Sequence, residues 1–228
     1  LIRNFDALEQ AHNIDTVIFD KTGTLTEGSP TVRDVKPVDG VDQNDLLRLA
    51  AAVQAASEHP LARAVVSIAR DQGMDIPDVT EFRGKTGAGV MATAEGKSVV
   101  IGTDTMLRDQ SVSMPDADVI SPDISQHEAR GRTVILIAID GKYAGFITLE
   151  DRIRESAKQT IADLKARGIN SIMLSGDSQQ VASYVAEQLG LERGEGRIRP
   201  QDKALAVEKL RKEGRHVAMV GDGINDCL

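Results

Sequence analysis

The sequence predicts an α/β protein: a parallel sheet with helices between its strands, and an α+β domain inserted after the first strand. Three observations predict it. Short, fully apolar runs recur near both ends of the chain, the pattern of buried parallel strands. Helical apolar stripes separate the later runs. The middle, residues 30–144, changes rhythm to strand-like pieces around two helices.

In order, Thr16-Val17-Ile18-Phe19 is the first strand and ends at Asp20. The insertion follows, with strand-like pieces at 31–35, 89–94, 97–101, 133–139 and 143–148 and helices near 45–56 and 60–71. Pro115 and Pro122 punctuate a loop within it. Ile153, Ala157, Ile161 and Leu164 then form one helical stripe. Ser171-Ile172-Met173-Leu174 is the next strand and runs into Ser175-Gly176-Asp177. Val181, Ala182, Val185, Ala186 and Leu189 make a second stripe, with Gly190 as its stop. Ala204, Val207 and Leu210 make a third before Gly214, and Val217-Ala218-Met219-Val220 is the last strand, ending in Gly221-Asp222-Gly223. Strand–helix–strand units at this spacing wind right-handedly into a parallel sheet. The predicted division is residues 1–29 with 147–228 for the sheet domain and 30–146 for the insertion.

Composition excludes several classes. The 228 residues carry 27 Lys and Arg against 35 Asp and Glu, a net charge of −8. That acidity argues against nucleic acid as a partner, which needs a basic face. A lone cysteine, Cys227, makes no internal disulfide. The longest purely apolar run, 134–139, falls far short of the roughly 20 residues of a membrane helix. The opening Leu1-Ile2-Arg3-Asn4-Phe5-Asp6 lacks the basic-then-apolar pattern of a signal peptide. The expectation is a water-soluble, cytosolic chain.

Ligands bind beyond the carboxyl ends of strands in an open parallel sheet. Asp20, Asp177 and Asp222 all fall at that edge. Crowded carboxylates repel unless a cation is present, and Mg²⁺ with oxygen ligands is the usual one where phosphate is handled. Singly, each aspartate also suits a helix cap or a turn. A strand-end carboxylate can attack phosphorus, Gly23 permits a tight turn, and Thr22 and Thr24 add hydroxyl donors. Lys203 could neutralise a transferring phosphoryl group, although alone it reads more readily as a surface lysine that starts a helix. In the insertion, His59 stands at a helix start, where Ser57 caps and Pro60 suits the first turn. It reads alone as a capping or packing residue. Gly84-Lys85-Thr86-Gly87-Ala88-Gly89 also fits a simple hairpin, and Gly102 a strand end. His12, His127 and His216 have no partners at metal-ligand spacing and read as structural or surface residues.

Asp-Lys-Thr-Gly-Thr-Leu-Thr at 20–26, Ser-Gly-Asp at 175–177, Pro-x-x-Lys at 200–203 and Gly-Asp-Gly-Ile-Asn-Asp at 221–226 resemble, in that order and across the whole chain, P-type ATPases of the haloacid dehalogenase superfamily. The resemblance implies a haloacid-dehalogenase-like phosphorylation domain with an inserted nucleotide-binding domain. It implies that Asp20 takes the γ-phosphoryl group of ATP. Ser175, where a Thr is more usual, would bind that group within the loop it forms with Gly176 and Asp177. Lys203 would contact the phosphorylation site. Asp222 would bind Mg²⁺ with the Asp20 carboxylate and the Thr22 carbonyl, and Asn225 and Asp226 would complete the shell. Phosphatases of the superfamily carry a second Asp where this chain has Thr22. Without that base, water attack on an aspartyl phosphate is slow and the phosphoenzyme persists, which argues against the alternative of a free-standing phosphatase. The family removes the phosphate with an actuator domain bearing Thr-Gly-Glu, a tripeptide this chain lacks.

Ser57-Glu58-His59-Pro60 with the glycines resembles the nucleotide-binding domain of the heavy-metal-transporting class IB members. By resemblance, Glu58 and His59 line the adenine site, and Gly87, Gly89 and Gly102 let backbone approach the nucleotide. Gln54 stands where a Glu is common and Thr103 where an Asn follows the glycine, so the expectation is altered affinity with binding kept. Leu1-Ile2-Arg3-Asn4 and Thr26-Glu27-Gly28 resemble copper exporters, although zinc and cadmium pumps share Ser-Glu-His-Pro. The implied whole is a plasma-membrane pump whose transported ion is held by membrane helices absent here. This chain would be its excised cytosolic unit, cut short after Asp226. A nucleotide-sensing module without phosphoryl transfer is the remaining alternative.

Overall fold

The computed structural model describes residues 11–221. In chain order its strands and helices are β1 (Thr16–Asp20), β2 (Thr31–Pro37), α1 (Gln43–Ala55), α2 (Pro60–Asp71), β3 (Val79–Lys85), β4 (Gly89–Ala94), β5 (Lys97–Gly102), α3 (Asp104–Asp109) and α4 (Ala117–Glu128). These are followed by β6 (Thr133–Ile139), β7 (Lys142–Glu150), α5 (Glu155–Ala166), β8 (Asn170–Leu174), α6 (Gln179–Leu189), β9 (Arg193–Glu195), α7 (Pro200–Lys212) and β10 (Val217–Val220). The chain forms two compact units: Ser29–Asp151, and the residues on either side of it.

The flanking unit is a parallel sheet in the order β10-β1-β8-β9. Every residue of β1 is buried. Alternation along a strand sends successive side chains to opposite faces. Val17 and Phe19 therefore pack with Ala157, Ile161, Ala182, Val185 and Leu189 of α5 and α6. Ile18 packs on the other face with Val207 and Leu210 of α7. α6 starts at a Ser178 hydroxyl that accepts the Val181 N–H, and stops at Gly190 in the left-handed region.

The second unit is a six-stranded antiparallel sheet in the order β2-β7-β6-β5-β4-β3. α1 and α2 cover one face, burying Leu46, Leu49, Val53 and Val65 against Val99, Ile137 and Ile147. Met106, Leu107 and Val112 pack with Val100, Leu136 and Phe146 in a separate cluster, because neighbouring strand positions face opposite ways.

The predicted boundary at 146/147 needs correction. β7 pairs with β2 as far as Thr31↔Glu150, so residues 147–150 belong to the inserted unit, and the joins fall at 28/29 and 151/152. The predicted loop around Pro115 and Pro122 also differs. Residues 117–128 form α4, with Pro122 inside it. Proline removes one intrahelical bond. Packing overrides that loss: Ile124 lies against the Val100 cluster, and the buried His127 ring meets Phe146 edge-on at 5.7 Å. No helix among the described residues is long and apolar enough to cross a membrane.

Candidate active site

Asp20 ends β1 and is 6% exposed. Its parity matches Ile18, so it points to the α7 side of the sheet. There Lys203 Nζ meets Asp20 Oδ1 at 2.9 Å, with both side chains buried. Thr22 (φ −73°, ψ 125°) and Gly23 (φ 78°, ψ −15°) have the angles of a type II turn, which requires a left-handed third residue. The Thr26 N–H and hydroxyl both donate to the Lys21 carbonyl, at 3.1 and 3.0 Å. Gly28 folds back onto this turn: a side chain there would put its Cβ 3.0 Å from the Gly23 Cα.

β1 and β8 run in register, with Asp20 opposite Leu174, so Ser175 leaves the sheet at the same edge. Asp177 Oδ2 pairs with Lys21 Nζ at 2.7 Å and accepts the Ser175 hydroxyl at 2.7 Å. Ser175 Oγ in turn accepts the Asp177 N–H at 3.1 Å. A lysine therefore meets each of the two described strand-end carboxylates, Lys203 at Asp20 and Lys21 at Asp177. The segment after β9 braces the loop: Ile198 N–H donates to the Ser175 carbonyl at 2.9 Å and Arg197 N–H to that of Asp177 at 2.6 Å. A Cβ at Gly194 would come within 2.3 Å of the Ala182 carbonyl, so β9 needs its glycine to lie against α6. Gly176 is different. A Cβ there would meet nothing closer than the Ile198 carbonyl at 3.8 Å, so packing alone does not demand glycine.

Asp222, Asn225 and Asp226 lie outside the described residues, as does Cys227. Among the described residues, no group of three or more His, Cys, Asp or Glu side chains could hold a metal ion. The Asp20 carboxylate and the Thr22 carbonyl are hard oxygen donors of the kind Mg²⁺ prefers. The fit is chemical and rests on those two groups.

In the inserted unit, His59 is the N-cap of α2, and its Nδ1 accepts the Leu61 N–H at 3.2 Å. The cap requires a neutral ring protonated on Nε2. Ser57 was expected to cap this helix. Its hydroxyl instead accepts the His59 N–H at 3.4 Å, one step upstream, because the proline at the first helical position sets His59 in the cap. The Glu58 carbonyl receives Arg63 Nη1 at 2.9 Å. Gln54 lies in the last turn of α1 and is buried. Gly89 and Gly102 face each other across β4 and β5. A Cβ on Gly89 would lie 2.2 Å from the Ile101 carbonyl, and one on Gly102 2.3 Å from that of Ala88. Close strand approach therefore explains both glycines without any ligand. Gly87 adopts φ +71° in the turn before β4. Thr103, which departs from the expected pattern, caps α3 by accepting the Met106 N–H at 3.3 Å, a role an Asn fills equally well.

Two residues around Asp20 carry no role in the sequence reading. Lys21 sits inside the motif, and its pairing with Asp177 depends on the β1–β8 register. Arg154 reaches the Asp20 loop with Nε 2.8 Å from the Thr26 carbonyl and Nη2 3.1 Å from that of Gly23. Nothing local in sequence signals contacts between segments so far apart.

A family profile described as haloacid dehalogenase-like hydrolase matches residues 14–228. A copper-exporting P-type ATPase of Bacillus subtilis (strain 168) is 38% identical over 227 residues; the alignment takes in all of this chain and 28% of that protein. The catalytic domain of the CPx-ATPase CopB-B, solved in connection with conformational changes upon nucleotide binding, is similar at 30% identity and a TM-score of 0.75, over 99% of this chain and 78% of that one. A zinc-transporting PIB-type ATPase in its E2·Pi state is similar at 38% identity and a TM-score of 0.61, over 99% of this chain and 36% of that one.

Proposed function

Because the chain belongs to the haloacid dehalogenase-like hydrolases, and within them to the catalytic domains of P-type ATPases, we propose that it binds ATP on residues 29–151 and accepts its γ-phosphoryl group on Asp20. The observation that carries this reading is the buried Asp20 at the strand end, paired with Lys203 and followed two residues later by Thr22 in place of a second Asp. An Asp20 oxygen attacks the γ-phosphorus as the bond to the β–γ bridging oxygen breaks and ADP leaves. Lys203 offsets negative charge on the transferring group. Ser175, whose one O–H rests on the Asp177 carboxylate that Lys21 pairs with, would turn that O–H from Asp177 to the phosphoryl oxygens. Mg²⁺ on the Asp20 carboxylate and Thr22 carbonyl, with Asp222 and Asp226, would supply charge neutralisation. Thr22 offers no general base for water, so the acyl phosphate accumulates.

On residues 29–151, His59, Glu58, Gln54 and Gly87 are the proposed nucleotide contacts. Gly89 and Gly102 would keep the adjoining strands close enough to carry it. The chain spans 28% of its copper-exporting relative, so the activity of a whole pump is a further step. We propose export of a soft metal ion, copper first, by membrane helices elsewhere in the full protein, with dephosphorylation by its actuator domain. The zinc-transporting neighbour supports zinc as the second reading. Comparing Cu⁺ with Zn²⁺ as activators of ATP hydrolysis by the full-length protein decides between them.

Incubating the chain with γ-labelled ATP and Mg²⁺ before acid quenching tests the core claim. The expected product is a protein-bound label that neutral hydroxylamine releases. Steady release of phosphate from small phosphomonoesters, with no bound label, would instead point to a phosphatase.

A further inference from the structure

Arg154 precedes α5 and turns back onto the segment that follows Asp20. Its Nε donates to the Thr26 carbonyl at 2.8 Å, and its Nη2 donates to the carbonyls of Gly23 at 3.1 Å and Glu27 at 3.5 Å. The backbone reinforces this return. Arg154 N–H donates to the Leu25 carbonyl and Glu27 N–H to that of Arg152, both at 2.9 Å. Gly23 is the left-handed corner of the turn, and a peptide group is planar. Holding the Gly23 carbonyl toward Arg154 therefore fixes the plane of the next peptide and the direction of the Thr24 N–H. The fork that reaches both Thr26 and Gly23 is a guanidinium property, and one ammonium cannot reproduce its geometry.

We propose that Arg154 is a positioning residue for phosphoryl acceptance: it holds the turn beside Asp20 in its working conformation before ATP arrives. Resting on the phosphoryl-transfer reading above, this inference extends it to a residue outside the recognised motifs. A preset turn removes reorganisation from the chemical step, so its loss slows transfer and leaves nucleotide affinity alone.

The test uses the whole 228-residue chain with Arg154→Ala and Arg154→Lys. Three quantities are read: amide hydrogen exchange over residues 21–28, the rate of phosphoenzyme formation at saturating ATP, and the ATP dissociation constant. In Arg154→Ala the expected changes are exchange confined to 21–28 faster by about tenfold and phosphorylation slower by at least about tenfold, with ATP affinity within about twofold. Arg154→Lys should fall between the two and keeps the test open if the alanine variant folds poorly. Unchanged phosphorylation rates, unchanged exchange, or exchange accelerated equally throughout the sheet would each overturn the proposal. A wild-type chain that takes no label overturns the phosphoryl-transfer reading, and this one with it. A labelled wild type with unaffected variants removes only the role of Arg154.

Discussion

Asp20 and Lys203 meet because strand parity turns Asp20 to the face that α7 covers, with the ammonium 2.9 Å from the carboxylate. Removing one member of a buried ion pair takes compensation from the surviving charge. Lys203→Met should therefore cost roughly 3 kcal/mol of stability, seen as a lower urea midpoint, and should also slow phosphoenzyme formation at saturating ATP. Tyr143 is the opposite case. Its hydroxyl is buried without a hydrogen-bond partner among the described residues. Burial, with the negative charge of Asp123, pushes its pKa up from 10.0 to about 12. The neutral phenol is the form the fold favours. The stability it contributes is complete below pH 10 and drains away as pH rises toward 12. Tyr143→Phe should be at least as stable as wild type at neutral pH and should flatten that alkaline loss in melts taken between pH 9 and 12. The individual site residues were legible where a motif is contiguous, as in Asp20 through Thr26. Lys21 was visible but mute, since its partner Asp177 depends on the β1–β8 pairing. Arg154 carried no local signal at all.

At the scale of elements, α2 shows how a functional reading and a packing reading can share one residue. His59 closes the helix start through Nδ1, so losing an affinity for ATP in His59→Ala would not by itself separate the two. Asn is a good cap and lacks the ring. His59→Asn should keep the melting temperature close to wild type and still weaken ATP binding in a calorimetric titration, whereas His59→Ala should lose both, with about 1 kcal/mol of stability gone. Equal ATP affinity in wild type and His59→Asn would remove the imidazole from the nucleotide site. The strongly periodic elements could be read in advance: β1, β8 and β10 as apolar runs, α6 from its stripe and its Gly190 stop. β3 could not. It is an edge strand, mostly exposed, and Glu81 at φ +54° interrupts its register. α4 was hidden by Pro122, whose local cost is overridden only once the sheet supplies Phe146 for His127 to pack on.

For the whole molecule, the order of motifs along the chain revealed an insertion because the first strand's carboxylate is separated from its lysine by a different kind of fold. The exact joins depended on how far β7 runs beside β2, which composition does not record. The two units have separate cores, two clusters, one on each face of the sheet around β1 and β8, and two in the antiparallel sheet. The proposed function divides the labour between them, with nucleotide recognition in one and the acceptor carboxylate in the other. Phosphoryl acceptance is chemical and local to a single carboxylate, that of Asp20, in the proposed function. The most direct measurement treats the ATP-incubated, acid-quenched chain with borohydride, which reduces an acyl phosphate of aspartate to homoserine, and locates the change by peptide mass spectrometry. Homoserine at position 20 is the expected product, with none in chain incubated without ATP. Homoserine at another aspartate, or an unreduced Asp20 in protein that carries the label, would contradict it.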